Sequence, residues 1–416
     1  MKKMYLLATI ALAFMTVSCD NDDDPVVILP SSATFTVTIE NVFEAKEYFN
    51  SGTTGLIIPG ASESFSFNAG KGHYLQFGNM YVKSNDLFYA PSDMGIALYD
   101  MDGNATTGDV TSQVYLWDAG TEVNEEPGMG ANQPMNQSGP NTGMTEGGTV
   151  KMIADVMDGF TYPMTANVIS VMITHDGGTL FTVTINNISG GSILPSPFAP
   201  GTWVIHNDGQ KPMFTVGASA SMGLEKIAED GDNSAMDSNL SSKSGLVSPF
   251  APGAFSVGLT NELFMDNNMA SSALEALAED GNPSGFTNVF NTPVGAGSPG
   301  ALFPSNSYSF TVDAEEGDKL SFATMLVQSN DWFFSADNLE LFSNGVALSG
   351  DITDMIDLYD AGTEVDEYAG AGNSQPVRQS GANSGVDENG TAMTEVYLNA
   401  NVPEISEMIK VTITTN

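Results

Sequence analysis

An all-β fold, built as two tandem antiparallel β-sandwich domains, is what the amino-acid sequence predicts. The chain has 416 residues, and a domain of ordinary size takes roughly 100–200 of them. Many apolar residues fall in short alternating runs, as where Phe35, Val37 and Ile39 stand between threonines. Alternation with a period of two is typical of a half-buried strand. Gly, Asn, Asp and Pro separate the runs, as turns between strands require.

Helical periodicity is confined to two short stretches, 223–230 and 273–280, each followed by a glycine that predicts a left-handed helix cap. Both lie in a block near 195–290, which we interpret as a helix-containing insert in the second domain. The other periodic runs predict strands, in chain order at 35–39, 64–67, 74–82, 96–99, 168–173, 181–185, 308–312, 320–327 and 408–414.

The body of the chain repeats itself in order. TFTVTIENV recurs as LFTVTINNI, YVKSNDLFYAPSD as LVQSNDWFFSADN, VYLWDAGTEVNE as IDLYDAGTEVDE, and VISVMITH as MIKVTITT. The period is too long for a solenoid or a propeller blade. We therefore expect two homologous domains: a trimmed sandwich at 33–178 and a full sandwich at 179–416.

The N-terminus has the pattern of a secretory leader. Two lysines precede an apolar run that is too short to span a bilayer, since a span takes about 20 residues. The ending of this run resembles a bacterial lipobox, which predicts a lipoprotein signal peptide at 1–18 and lipidation of Cys19, the one cysteine of the chain. A plain signal peptide with a chance cysteine is the alternative. Residues 19–32 are rich in Asp and Asn, and we expect a solvated acidic tether there.

The charge balance narrows the classes of partner. With 12 Lys and Arg against 51 Asp and Glu, the formal net charge is −39. Nucleic acid and anionic lipid headgroups need basic patches, so we exclude both and expect membrane contact only through the N-terminal lipid. Cations, including divalent metals, are attracted instead. Solubility or adaptation to salt is an alternative explanation for most of these charges.

Three separated motifs carry a resemblance to a known family. The segments GLEKIAEDG, SNDWFFSA and LYDAGTE occur in this order in the second copy, and the first copy repeats the last two as SNDLFYA and LWDAGTE. This combination resembles the spondin-type domain of the F-spondin family and of many bacterial envelope proteins. The resemblance implies an antiparallel β-sandwich with a structural calcium ion held by loop carboxylates.

Carried over motif by motif, the resemblance implies one ligand set in each copy. Both copies have Glu where the family has the second Asp of its DAGTD motif, so calcium distances and affinity are open. The implied metal ligands are Asp86, Asp118 and Glu122 in the first copy and Asp331, Asp360 and Glu364 in the second.

The residues themselves favour the same chemistry. Ca²⁺ takes roughly six to eight oxygen ligands, commonly carboxylates and backbone carbonyls. D-A-G-T-E places two acids four residues apart around a glycine, so a tight loop can aim both at one point. Three carboxylates repel one another unless a cation neutralises them. The alternative is that these acids cap turns by accepting backbone N–H groups, as we expect for the hairpin turn at 100–104.

No catalytic set emerges from the motifs, and we expect a protein that is not an enzyme. His73, His175 and His206 have no counterparts in the other copy and no zinc spacing. A hydrolase using the acids of the first copy is the weaker alternative. We expect a calcium-binding adhesion or interaction lipoprotein of a bacterial envelope, at the outer membrane or cell surface, whose partner is an unknown extracellular protein or glycan. A structural envelope protein without a soluble partner is the second interpretation.

Overall fold

The computed structural model describes residues 31–394 and 402–416. The predicted leader at 1–18, the predicted lipidation residue Cys19 and all but the last two residues of the tether 19–32 lie outside the described residues. Within the described ranges, no helix has the length and apolar character that a membrane span requires.

Antiparallel strands make up most of the regular structure, as the predicted all-β fold requires. Apolar side chains alternate along them: Phe35, Val37 and Ile39 are fully buried, whereas the threonines between them are half-exposed. The strands are β1 (Ser32–Asn41), β2 (Asn50–Thr54), β3 (Ser62–Asn68), β4 (His73–Met80), β5 (Leu87–Pro91), β6 (Ile96–Ala97), β7 (Gly108–Asp109), β8 (Val114–Asp118), β9 (Lys151–Met152), β10 (Ile169–Gly177), β11 (Leu180–Asn187), β12 (Gly201–Asn207), β13 (Gly253–Gly258), β14 (Val289–Phe290), β15 (Ser307–Glu315), β16 (Lys319–Met325), β17 (Trp332–Glu340), β18 (Phe342–Ser343), β19 (Val346–Ala347), β20 (Gly350–Asp351), β21 (Asp357–Asp360) and β22 (Ile409–Thr415).

The strands form two sandwiches, each with its own apolar core. The first sandwich packs the sheet β3-β11-β10-β7 against the sheet β2-β12-β4-β5-β8-β9. The second sandwich packs β15-β1-β22-β20 against β14-β13-β16-β17-β21. Apolar side chains from the two facing sheets interdigitate in each core, which is the packing that defines a β-sandwich.

The order of the strands in space corrects the domain division expected from the repeats. β1 pairs with β15 and β22 of the second sandwich, while β11 pairs with β3 and β10 of the first. A boundary between residues 178 and 179 would therefore cut the β10–β11 hairpin and separate β1 from the core that buries its apolar face. The described part of the chain starts in the second sandwich with β1, passes through the whole first sandwich, and returns to the second with β13.

Two buried asparagines mark equivalent points in the sandwiches. The side-chain amide of Asn41, at the end of β1, donates to the carbonyl of Ser248 at 2.8 Å. The amide of Asn187, at the end of β11, donates to the carbonyl of Ser196 at 2.8 Å. Both side chains are almost completely buried. β1 and β11 therefore occupy the same position in two similar sandwiches. About 200 residues separate Asn41 from its partner Ser248 only because the first sandwich lies between them in the chain.

The first sandwich is formed by a continuous segment of the chain that interrupts the second sandwich, and we call it the nested segment. Its two ends lie side by side. The N–H of Tyr48 donates to the carbonyl of Lys243 at 2.9 Å, and the N–H of Gly245 donates to the carbonyl of Tyr48 at 3.1 Å. Because its two ends meet, the nested segment is accommodated without separating β1 from β13 and the rest of the second sandwich.

The helices are α1 (Met222–Asp230), α2 (Ser234–Ser242), α3 (Ser272–Asp280) and the short α4 (Ile405–Met408). Gly231 and Gly281 end α1 and α3 at φ values of 66° and 64°, which confirms the predicted left-handed caps. α1 and α2 pack against strands of the first sandwich, whereas α3 packs against the second. The helical block is therefore shared between the sandwiches and is not an insert in one of them.

Four methionines in or near the strand-like runs of the first sandwich are not fully buried. Met157, Met164 and Met172 are exposed by 102, 71 and 38%, and Met152 is half-buried. The first two lie in the irregular segment between β9 and β10, and Met172 points away from the core along β10. Sequence alternation alone does not say which face of β10 is covered.

Candidate metal centre

Strand pairing brings two predicted acids together in the second sandwich. Asp331 immediately precedes β17, Asp360 ends β21, and Trp332 of β17 pairs with Asp360. Carboxylate oxygens of Asp331, Asp360 and Asp366 all lie within 4.8 Å of one another. We call these three residues the second cluster.

The buried Asp331 anchors the second cluster. Its side chain is fully buried, and its Oδ2 accepts the backbone N–H groups of Thr363 at 2.9 Å and Glu364 at 3.1 Å. Among the described residues, its Oδ1 has no hydrogen-bond partner. A buried carboxylate oxygen without a donor is costly, and a bound cation or a proton would satisfy it.

The remaining two acids are held by tight local contacts. Oδ1 of Asp360 accepts the N–H of Gly362 at 2.7 Å, and Oδ1 of Asp366 accepts the indole N–H of Trp332 at 2.7 Å. Gly362 has a φ of 67°, and a Cβ there would lie 2.6 Å from the backbone nitrogen of Thr391. Glycine is therefore required for the D-A-G-T-E loop to turn and present Asp360.

The first sandwich contains a similar cluster. Oxygens of Asp86, Asp118 and Glu146 lie within 4.8 Å of one another, and we call these residues the first cluster. Oδ2 of Asp86 accepts the backbone N–H groups of Thr121 at 3.1 Å and Glu122 at 3.2 Å. Its Oδ1 is buried and lacks a partner among the described residues, as in the second cluster.

A lysine distinguishes the first cluster from the second. Nζ of Lys151 lies 3.6 Å from Oδ2 of Asp118 and 3.4 Å from Oε1 of Glu146. The amide of Asn124 also donates to Oδ2 of Asp118 at 3.0 Å. Lys151 and Asn124 correspond in the repeat to Met393 and Asp366. The first cluster thus contains its own positive charge, whereas the second has an additional acid.

The third predicted ligand of each set lies outside its cluster. Oε1 of Glu122 accepts the N–H of Gly143 at 2.6 Å, and Oε1 of Glu364 accepts the N–H of Gly385 at 2.7 Å. These glutamates therefore hold the long loop that follows each D-A-G-T-E motif. The structure brings together Asp86 with Asp118 and Asp331 with Asp360, but neither glutamate is among the acids that lie within 4.8 Å of one another.

Sequence reasoning missed the acids that complete the clusters. Asp366 lies two residues beyond the motif, where the first copy has Asn124, and Glu146 lies far beyond the motif, at the end of the long loop between β8 and β9, where the second copy has Glu388. The oxygen-bearing side chain at the 124/366 position in both copies is the signal that could have identified Asp366.

The electrostatics of both clusters favour a cation or a proton. Burial raises the pKa of Asp331, and burial together with the charge of Asp331 raises the pKa of Asp360. Burial and the charge of Asp118 raise the pKa of Asp86 well above its ordinary value. Burial also raises the pKa of Asp118, although the N–H of Gly120 and the charge of Lys151 oppose the shift. Ionised carboxylates this close repel one another in a poorly solvated site.

The donor set fits a hard divalent cation. Every side chain of the second cluster offers oxygen. Oxygen donors without sulfur or imidazole suit Ca²⁺ or Mg²⁺ better than zinc or copper. The clusters can hold a metal ion, and their geometry does not identify which one.

The histidines lie apart from the clusters. Nε2 of the buried His73 lies 3.2 Å from the guanidinium of Arg378, and burial followed by that positive charge lowers the pKa of His73 to about 3. Nδ1 of His206 contacts the carbonyl of Asn207, and Nε2 of His175 contacts the carbonyl of Gly178. These contacts place each ring in the packing of the first sandwich.

A comparison with models of protein families gives a match over part of the chain. Residues 202–377 match the Spondin_N family model, which supports a spondin-type domain in this part of the chain. The range starts in β12 of the first sandwich, includes the whole second cluster and ends before β22. A search of curated proteins found no match for the chain.

Proposed function

We propose that the protein is a lipid-anchored interaction protein of a bacterial cell surface whose sandwiches hold structural calcium. The observation that carries the metal proposal is the buried, unpartnered Oδ1 of Asp331 beside Asp360 and Asp366. Turn capping explains one oxygen of Asp331 and leaves the other without a donor. A divalent cation satisfies that oxygen and the net negative charge together.

Calcium in the second cluster would be held by Asp331, Asp360 and Asp366. These residues belong to the start of β17, the end of β21 and the loop that follows. A cation bound by all three joins these segments and removes the repulsion between their carboxylates. Binding to the folded state alone then adds directly to the free energy of unfolding.

Calcium in the first cluster would be held by Asp86, Asp118 and Glu146. Lys151 competes for two of these carboxylates, so we propose a weaker site there. The two clusters therefore differ in affinity, although the loops that form them are alike.

The proposed interaction role rests on the family match and on the net charge of the chain. The Spondin_N match favours a role in extracellular interactions. The charge of −39 favours partners with cationic surfaces and disfavours anionic ones. Lipidation of Cys19 would tether the sandwiches to the membrane, where a partner protein or glycan is accessible from outside the cell.

A thermal melt tests the structural metal. The full chain is melted with calcium, with magnesium and with a chelator; extracellular modules bind calcium at ~10⁻⁴–10⁻³ M, so millimolar calcium is required. A calcium-selective rise in the melting temperature supports the proposal, and coincident curves contradict it.

Anchoring is tested in the producing cell. A Cys19→Ala variant should lose incorporation of labelled fatty acid and leave the membrane fraction, whereas retention of the label would contradict lipidation at Cys19. Protease treatment of intact cells should degrade the wild-type protein if the anchor faces outward.

A further inference from the structure

A pocket in the first sandwich lies beside the first cluster. It has a volume of about 540 Å³ and is formed by β8, β9 and the irregular segment before β10. Its size falls within the ~300–1,000 Å³ of small-molecule sites. The side chains that define its chemistry are Tyr115, Met152, Asp158, Phe160 and Tyr162.

Hydrogen bonds hold the carboxylate of Asp158 against the backbone of Phe160 and the hydroxyl of Tyr162. Oδ1 of Asp158 accepts the backbone N–H of Phe160 at 2.9 Å, and its Oδ2 accepts the hydroxyl of Tyr162. Asp158, Phe160 and Tyr162 are each half-buried, so the rings and the carboxylate remain accessible from the cavity. A segment of five residues thus brings two aromatic side chains and one carboxylate to the lining of the pocket, and Asp158 and Tyr162 are joined directly.

The equivalent place in the second sandwich lacks this chemistry in the part that the structure describes. There the cavity measures about 180 Å³ and is lined by Asp357, Thr394, Val402 and Glu404. In the repeat these positions correspond to Tyr115, Met152, Tyr162 and Met164. Among the described residues at these two places, the aromatic lining belongs to the first sandwich.

We propose that this pocket binds an organic cation with a quaternary or methylated ammonium group. Aromatic faces attract such cations through the ring quadrupole, most strongly where the site is desolvated. Asp158 supplies the opposite charge, and the sulfur of Met152 is a polarisable neighbour. The nearest lysine, Lys151, is engaged by Asp118 and Glu146.

Other ligand classes fit the pocket less well. An anion would meet Asp158, the first cluster and a chain of net charge −39. A sugar would need several free donors and acceptors around its ring, whereas the hydroxyl of Tyr162 is committed to Asp158. A quaternary ammonium group needs neither, because it has no hydrogen bonds to satisfy.

Calorimetry with choline and its neutral isostere, dimethylbutanol, tests the charge requirement on the full chain. We expect choline to bind at one site and dimethylbutanol to bind at least about tenfold more weakly, since only the cation gains from the rings and from Asp158. Equal binding of the two compounds, or no binding of millimolar choline, would overturn the proposal. Binding of glucose at the same site would also overturn it.

Variants assign the site. Phe160→Ala and Asp158→Asn should each weaken choline binding about tenfold, while Phe160→Tyr should keep it. Val402→Ala, at the equivalent place in the second sandwich, is the matched control and should leave binding unchanged. Thermal melts of each variant show that it is folded. Choline binding that survives in both weakened variants would place the site elsewhere and contradict the assignment.

Discussion

Lys151 and Met393 occupy equivalent positions beside the two carboxylate clusters. Lys151 pairs with Asp118 across β8 and β9, and Met393 forms the corresponding bridge with Asp360. The same strand register thus places an ammonium group in one cluster and an uncharged thioether beside the other. The two clusters, alike in their loops, should therefore differ in their response to a divalent cation.

Exchanging these two residues should exchange the behaviour of the clusters. Lys151→Met removes the competing charge, and we expect calcium affinity at the first cluster to rise about tenfold. Met393→Lys should lower affinity at the second cluster by a similar factor. Calorimetry on each variant measures both changes. Lys211→Met, which removes a lysine paired with Asp93 instead, is the control, and an equal effect from it would contradict the assignment to Lys151.

The stabilisation that calcium gives should grow as pH rises. The pKa values of Asp331 and Asp360 are raised in the folded, calcium-free protein, so the folded state holds protons that the unfolded state has already released. Their contribution to the free energy of unfolding is complete below about pH 4 and is lost as pH rises through the raised values. Calcium needs the ionised carboxylates, so its stabilisation should grow over the same range.

The measurement is the difference between melting temperatures with calcium and with a chelator, taken from about pH 5 to about pH 8. Buried glutamates such as Glu279, whose burial raises its pKa to about 7, affect both curves and cancel in the difference. A difference that stays constant with pH would show that these aspartates do not bind the ion.

The buried Asn41 should be essential to the second sandwich. Its amide donates to the carbonyls of Ser248 and Leu302, and its Oδ1 accepts the N–H of Phe43. Asn41→Ala leaves these buried groups without partners, and we expect a loss of about 2–4 kcal/mol in the free energy of unfolding. Chemical denaturation measures it. The exposed Asn306→Ala is the control and should change stability little.

The nested arrangement predicts which fragments fold. A chain of residues 43–246 contains both sheets of the first sandwich with α1 and α2, and we expect it to melt cooperatively. A chain of residues 33–178 lacks β11 and β12, which occupy interior positions in the two sheets, and should not fold. Circular dichroism and thermal melts compare the two. Cooperative folding of the shorter fragment would contradict the strand pairing.

Much of the fold follows from local sequence patterns. Alternation identified β1, β11 and β15, and the glycines after 230 and 280 identified the ends of α1 and α3. The paired positions of Asp331 and Asp360 also followed from repeated motifs. These features depend on the periodicity of strands and on backbone conformations that few residues adopt.

The connection between the sandwiches did not follow from the sequence. TFTVTIENV and LFTVTINNI have nearly the same pattern, so each strand is compatible with either core until the pairing is known. The role of Glu364 was missed for a similar reason, because spacing places a carboxylate near a site without saying how far its side chain extends. Long-range pairing and side-chain reach are properties of the assembled fold.

Calcium calorimetry on the wild-type chain and on Asp360→Asn tests the central proposal most directly. The asparagine keeps the oxygen that accepts the N–H of Gly362 and removes one negative charge from the second cluster. Asp351→Asn, at an exposed turn-capping acid of the same sandwich, is the control. We predict that Asp360→Asn loses the tighter calcium site and that Asp351→Asn keeps it. Unchanged binding in Asp360→Asn, or no calcium binding by the wild-type chain, would contradict a calcium site in the second cluster.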